Sequence, residues 1–431
     1  MSEARRHRPS LRRRLRSVAM ASQLGPGLIT GAADDDPSGI ATYSQAGAQF
    51  GFGLLWTLVL TFPLMAAIQL VSAHIGRITG RGLASNMAEV LPRGVVHLLV
   101  FLLFVANTIN LGADLAAMGD AAQLVSGLDR HAFTIVFAVV SVLLQMFVAY
   151  KRYARLLTVL TLSLFTYVAV VFTLHLDWSA VGLGIVGVHA DLTPVAATTI
   201  VAIFGTTISP YLFFWQSAEE VEELNHHPKE KPLKDAPVQA PRAFVRMGVD
   251  TLVGMAVSNL VALAIMISTA ATLHAAGKTD IQTAADAARA LEPVAGKFAF
   301  LLFSLGIVGT GLLAIPVLAG SAAYAVGEAR GWKVGLDNKP WEAAGFYTVI
   351  AAAVAFGLAI DYSPLDPIKA LYWSAVVNGL IAVPMMAAMM LVATNRKKMG
   401  AFAAGPVLRW LGWVSTVVMA AAAVAMIATS V

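Results

Sequence analysis

Cysteine is absent from the 431-residue chain, which excludes disulfides and thiolate metal sites. Charge is scarce: 13% of residues are Asp, Glu, Lys or Arg, about half the roughly one quarter usual in soluble domains. Hydrolase signatures are missing too. Neither HExxH nor GxSxG occurs, and the ionisable residues show no nucleophile-and-base arrangement at recognisable spacing. The net charge of +5 does not point to nucleic acid, because the basic residues are not gathered into a folded basic domain.

What fills the chain is apolar: 58% of residues are hydrophobic, and the mean hydropathy is +0.73. Runs of about 20 apolar residues recur along it, joined by polar loops too short to cover a soluble core of that size. The pattern predicts an all-α polytopic membrane protein with spans near 20–50, 52–75, 94–123, 131–149, 154–174, 194–220, 244–273, 294–325, 341–359, 367–393 and 405–429. That is about eleven helices in a lipid bilayer.

The basic residues set the orientation. Arg5, Arg6, Arg8, Arg12, Arg13, Arg14 and Arg16 crowd a tail over residues 1–19. The stretch after it is broken by Gly25-Pro26-Gly27 and leads into acids, with no twin-arginine consensus, so it reads as a cytoplasmic tail and first helix rather than a signal peptide. Every second connection is then basic: Arg77, Arg81 and Arg93; Lys151, Arg152 and Arg155; Lys229, Lys231, Lys234 and Arg242; Arg330, Lys333 and Lys339; Arg396, Lys397 and Lys398. Lys278, Arg289 and Lys297 make one connection of the other set an exception. The positive-inside rule then places the C-terminus outside.

Two spans are interrupted near their middles. The first carries Asp34-Asp35-Asp36-Pro37-Ser38-Gly39, and the sixth carries Gly205-Thr206-Thr207-Ile208-Ser209-Pro210-Tyr211. Pro37 lacks an amide donor and Gly39 is conformationally free, so the backbone can unwind there. Breaks in corresponding positions of two five-span halves predict an inverted repeat, residues 20–174 against 194–393, with 405–429 as an additional helix. In such LeuT-like 5+5 folds the substrate lies between the breaks, facing half-helix ends and unpaired carbonyls. Asp36-Pro37 also reads as an N-cap followed by proline at the first helical position. A cap in a loop would cost nothing, whereas a carboxylate near the bilayer centre costs roughly 2.5–3.5 kcal/mol, so the depth of Asp36 points to a bound cation. Asp34 and Asp35 either face the aqueous pathway or are simply hydrated.

GPGLITGAADDDPSGIATYSQAGA and GTTISPYLFFWQSAEE together resemble the NRAMP family of divalent-metal transporters. The family's Asp-Pro-Gly-Asn falls on Asp36-Pro37-Ser38-Gly39, so the resemblance implies that Asp36 is the metal carboxylate and that the family asparagine is missing at Gly39. The family's Met-Pro-His falls on Ser209-Pro210-Tyr211, and a further family histidine on Gln216. Asp36, Gly39, Thr206 and Ser209 form the expected metal set, Asp36 as main ligand and the others lining it through backbone or water. A thioether is soft and favours transition metals. An oxygen-only site with one essential carboxylate suits hydrated magnesium. The pattern is most like the divergent Nramp-related magnesium transporters.

The resemblance also bears on protons. Typical members use the sixth-helix histidines with acidic groups on the third helix, and histidine is the natural proton carrier near neutral pH. Tyr211 and Gln216 replace both histidines, Asn107 and Ala117 stand where glutamates are typical, and only Asp114 keeps a family aspartate. The expectation is Mg2+ uptake, with Mn2+ as a further substrate, by alternating access without obligatory proton coupling. The runner-up is a proton-coupled Mn2+/Fe2+ symporter, and after it an organic-cation transporter of the same fold.

Remaining polar residues have less specific readings. Asp114 belongs either to the pathway or to an interhelical hydrogen bond, and Asn378 either lines the site or bonds between helices. Glu219, Glu220, Glu222 and Glu223 read as a solvated acidic helix end; His226 and His227 read as part of an exposed linker. Gly306, Gly309, Gly311 and Gly320 read as close helix packing. No cofactor, no enzyme activity and no obligate protein partner are expected, and the bacterial inner membrane is the expected location.

Overall fold

The computed structural model describes residues 26–148, 162–187, 193–362 and 366–430. The Arg-rich tail, the first residues of the first span, Lys151, Arg152, Arg155 and residues 154–161 of the fifth span lie outside them. Among the described residues there are helices and turns and no strand.

The first span is two helices, α1 (Pro26–Asp34) and α2 (Pro37–Phe50). The chain continues through α3 (Leu55–Thr79), a short α4 (Leu83–Val90), α5 (Arg93–Ser126) and α6 (Arg130–Phe147). Next come α7 (Phe165–Thr173) and α8 (Trp178–Val186). The sixth span is again two helices, α9 (Pro194–Thr207) and α10 (Pro210–His226). Then follow α11 (Ala240–Thr269), α12 (Ala299–Arg330), α13 (Ala344–Asp361), α14 (Pro367–Thr394) and α15 (Pro406–Ser430). Both breaks predicted from the sequence are present, each ending in a proline at the first position of the second half, where its missing N–H costs nothing.

Nine helical stretches among the described residues are long and apolar enough to cross a membrane, or ten if a bent pair is one span. The halves of the first span, 9 and 14 residues, are each too short to be counted alone. The fifth span closes at Thr173, one residue before the expected end, and a short helix not expected from the sequence follows it. The chain turns by 120° and resumes as α8, because Asp177 accepts from the amides of Ser179 (2.9 Å) and Ala180 (3.3 Å) and starts a new helix. The eighth span also starts later than expected, at Ala299, after helical turns over Ala284–Ala288 and Glu292–Ala295.

Small residues let backbones meet, as expected for helices packed without a hydrophobic drive between them. On α12, a Cβ at Gly311 would lie 2.3 Å from Met118 Sδ and one at Gly320 2.7 Å from Trp215. The closest approach that bears on the site is α1 on α11. A Cβ at Gly31 would lie 2.4 Å from the Gly254 carbonyl carbon, and one at Gly254 2.3 Å from the Gly27 carbonyl oxygen. Backbone cannot swing aside as a side chain can. Gly254→Val is therefore expected to displace α1, with a lower melting temperature in detergent and strongly reduced transport; overpacking of this kind costs about 1–3 kcal/mol. Unchanged melting and flux would show that α1 does not need this contact.

Candidate functional site at the two helix breaks

Asp36 sits in the gap between α1 and α2 and is fully buried. Its Oδ1 accepts from the Gly39 amide and the Ser38 hydroxyl, both at 2.8 Å, so it is the N-cap of α2. Its Oδ2 accepts from Asn110 Nδ2 and the Tyr211 hydroxyl, both at 3.1 Å. The cap is thus only half of the arrangement. The other oxygen is met by α5 and by the second half of the sixth span.

The second break faces the first. The Ser209 hydroxyl is 2.8 Å from the carbonyl oxygens of both Gly205 and Thr206, covering the C-terminal carbonyls of α9 that its helix leaves unpaired. Thr206 stands against Gly39: a Cβ there would lie 3.1 Å from Thr206 Oγ1 and 3.3 Å from the Tyr43 ring. Asp36 and Gly39 of the first break therefore meet Tyr211 and Thr206 of the second, while the Ser209 hydroxyl bonds within its own break.

A residue that sequence reasoning missed holds this region together. Asn110 Nδ2 donates to Asp36 and also to Asp114 Oδ2 (3.1 Å), while its Oδ1 accepts from Ser374 Oγ (3.0 Å) and Asn378 Nδ2 (3.1 Å). Asp114 and Asn378 are accordingly one residue removed from Asp36, joined through Asn110. The available signal was its place one turn before Asp114, on the same face of one helix.

Two expectations are corrected, for Asp34 with Asp35 and for the acidic end of α10. Asp34 and Asp35 are not hydrated: they are 0% and 6% exposed. Burial puts them against Ser258 of α11, whose hydroxyl lies 2.5 Å from Asp34 Oδ2 and 3.0 Å from Asp35 Oδ1. Gln216, a candidate for the transport pathway, bonds to α1 and not to Asp36. Its Oε1 accepts from Thr30 on α1 at 2.6 Å, more than a turn along α10 from Tyr211. The acidic end of α10 is not simply solvated, because Glu219 and Glu220 are buried. Arg246 of α11 reaches Glu220 at 2.9 Å and Glu223 at 3.4 Å, and Tyr324 donates to Glu222. His226 meets Asp337 at 2.7 Å on the exposed linker side, as the linker reading expects.

Among the described residues no three of His, Cys, Asp and Glu are placed to hold a metal together. A cavity of about 330 Å3 opens near the ends of α2, α9 and α14, lined by Ala41, Gln45, Thr198, Asp280, Lys369 and Tyr372 among others. Tyr372 in its wall is hydrogen-bonded to Thr199 at 2.9 Å.

A helical membrane bundle with a polar centre between two broken helices is the pattern of membrane transporters. The chain belongs to the Nramp family: the model described as "Natural resistance-associated macrophage protein-like" matches residues 27–429. It is 29% identical over 298 residues to a divalent metal cation transporter MntH of Pectobacterium carotovorum, covering 68% of each chain. To the MntH of Deinococcus radiodurans it is 27% identical over 410 residues, 92% of this chain and 87% of that one. In fold it is similar to the manganese transporter of Eremococcus coleocola, with a TM-score of 0.75 at 16% identity, covering 98% of this chain and 89% of that one. Membership makes it a transport protein and not an enzyme, in agreement with the sequence.

Proposed function

We propose that this divalent metal cation transporter of the Nramp type takes up Mg2+ by alternating access, with Asp36 as the essential carboxylate and without obligatory proton coupling. The observation that carries the reading is the set of groups bonded to Asp36: a backbone amide, two hydroxyls and a side-chain amide. None carries sulfur or imidazole. Magnesium is hard, keeps several waters and binds through one or two carboxylates. The hydroxyl of Ser209 and the bare backbone at Gly39 leave the facing break without a soft ligand or a second side-chain ligand on α2. Mn2+ is a further substrate of the same oxygen site.

The proton reading rests on the same geometry. Tyr211, in a family histidine position, donates to Asp36, Gln216 is engaged by Thr30, and Asn107 donates to the Leu318 carbonyl and Ser321. None of these three is a histidine or carboxylate able to relay a proton near neutral pH. The membrane potential suffices as driving force, since a divalent ion crossing 100 mV gains about 4.6 kcal/mol. With the tail cytoplasmic and the C-terminus outside, the cavity beside Gln45 and Tyr372 is the entrance, in a bacterial inner membrane. The two repeats, 20–174 and 194–393, supply one break each.

Purified protein in liposomes, with an internal magnesium indicator and a separate pH dye, tests this. Magnesium influx without acidification is expected. Manganese transport that excludes magnesium and carries protons would overturn it in favour of the symporter. No metal flux at all would leave an organic cation as the substrate.

A further inference from the structure

Asn110 is turned the wrong way for a cation at Asp36. Its Nδ2 donates to the carboxylates of Asp36 and Asp114, so N–H groups point to the place where positive charge would arrive. The far side of the amide is built to tolerate the opposite orientation. Ser374 Oγ, which meets Asn110 Oδ1 at 3.0 Å, also lies 2.7 Å from the Leu371 carbonyl, so its proton has a second acceptor in place. Asn378 donates its Nδ2 to Asn110, while its own Oδ1 is buried with no hydrogen-bond partner. If both amides rotate by half a turn, Asn110 Nδ2 donates to Ser374 Oγ and Asn378 Oδ1, and Asn378 Nδ2 takes the partnerless place that its Oδ1 leaves, so the rotation neither adds nor removes an unpaired group on Asn378. Asn110 Oδ1 then faces Asp36. The cation replaces the bond given up at Asp36, and Asp114 Oδ2 loses its Asn110 donor.

We propose that Asn110 is the second oxygen ligand of the transported divalent cation, directly or through one of its waters. It stands in for the side chain absent at Gly39, and the Asn110–Ser374–Asn378 chain reverses its hydrogen-bond polarity when the cation binds. The inference rests on the reading of Asp36 as the metal carboxylate. It places the compensating oxygen on α5, a different helix from the broken one.

The test is calorimetric binding of MgCl2 and MnCl2 to purified protein, with flux in liposomes alongside, for Asn110→Ala, Asn110→Asp and Asp36→Ala. Asn110→Ala is expected to weaken binding and raise half-saturation roughly ten- to hundred-fold, the range seen when groups supporting a metal are removed, with maximal flux largely kept. Asn110→Asp, which offers oxygen and no donor, should bind at least as tightly as the parent. If the amide serves only as a donor holding Asp36, Asn110→Asp must instead be worse than Asn110→Ala, and that order overturns the proposal. Unaltered binding in Asn110→Ala beside a silent Asp36→Ala overturns it alone. Unaltered binding in Asp36→Ala overturns the site reading and this inference together. Should Asn110→Ala fail to fold, as judged by its melting curve, tighter or weaker binding in Asn110→Asp decides the matter.

Discussion

Asp36→Ala should abolish metal uptake in liposomes while the protein remains folded and monodisperse in detergent. The two halves of that outcome have separate causes. Transport fails because the one carboxylate that meets both breaks is gone, and the groups bonded to it are all neutral. Folding survives because opposing contributions nearly cancel. Losing an N-cap costs about 1 kcal/mol, and the Asn110 and Tyr211 donors lose a partner. Against that, a carboxylate held near the bilayer centre costs roughly 2.5–3.5 kcal/mol. Asp36→Asn keeps the cap and the shape and removes the charge, so it should be equally inactive. Uptake at the parent rate in either variant would remove Asp36 from the site.

Ser209→Met should reverse the metal preference, lowering Mg2+ flux tenfold or more while Mn2+ flux is kept or gained. A thioether is a soft ligand that favours transition metals over hard cations. The change also strips the carbonyls of Gly205 and Thr206 of the hydroxyl that covers them, leaving two backbone oxygens free beside the break. Ser209 is fully buried, so the larger side chain brings a packing cost of about 1–3 kcal/mol that a melting curve will register. Competition between Mg2+ and Mn2+ for uptake reads the preference directly. An unchanged ratio in a folded variant would mean that the cation never reaches the second break.

Much of this architecture was legible in the sequence because membrane helices write their limits in hydropathy. Prolines at 37 and 210 and the acids before the first of them marked both breaks, and the structure places them against each other through Gly39 and Thr206. The short helix α8 after the fifth span was not foreseen, because only the cap at Asp177 marks its start. Asp34 and Asp35 were misjudged for another reason. Their partner Ser258 lies 224 and 223 residues away on α11, and nothing in a local reading of an aspartate indicates which distant hydroxyl will meet it. Asn110 was passed over because an asparagine inside an apolar helix carries no motif. Its importance is a property of three helices meeting, not of its neighbours in the chain.

The face that α11 turns to α1 has a mechanical consequence. Asp250 accepts from the amides of Gly27 (2.6 Å) and Leu28 (3.3 Å) at the start of α1. Gly254 meets its middle backbone to backbone, and Ser258 reaches the acids at its end. These three residues stand one turn apart along α11, so a nine-residue half-helix is gripped at both ends and between. It cannot behave as a loose flap on a hinge. Opening a path on that side of the bundle must either break all three grips in one stroke or carry α11 along as the other arm of a single lever.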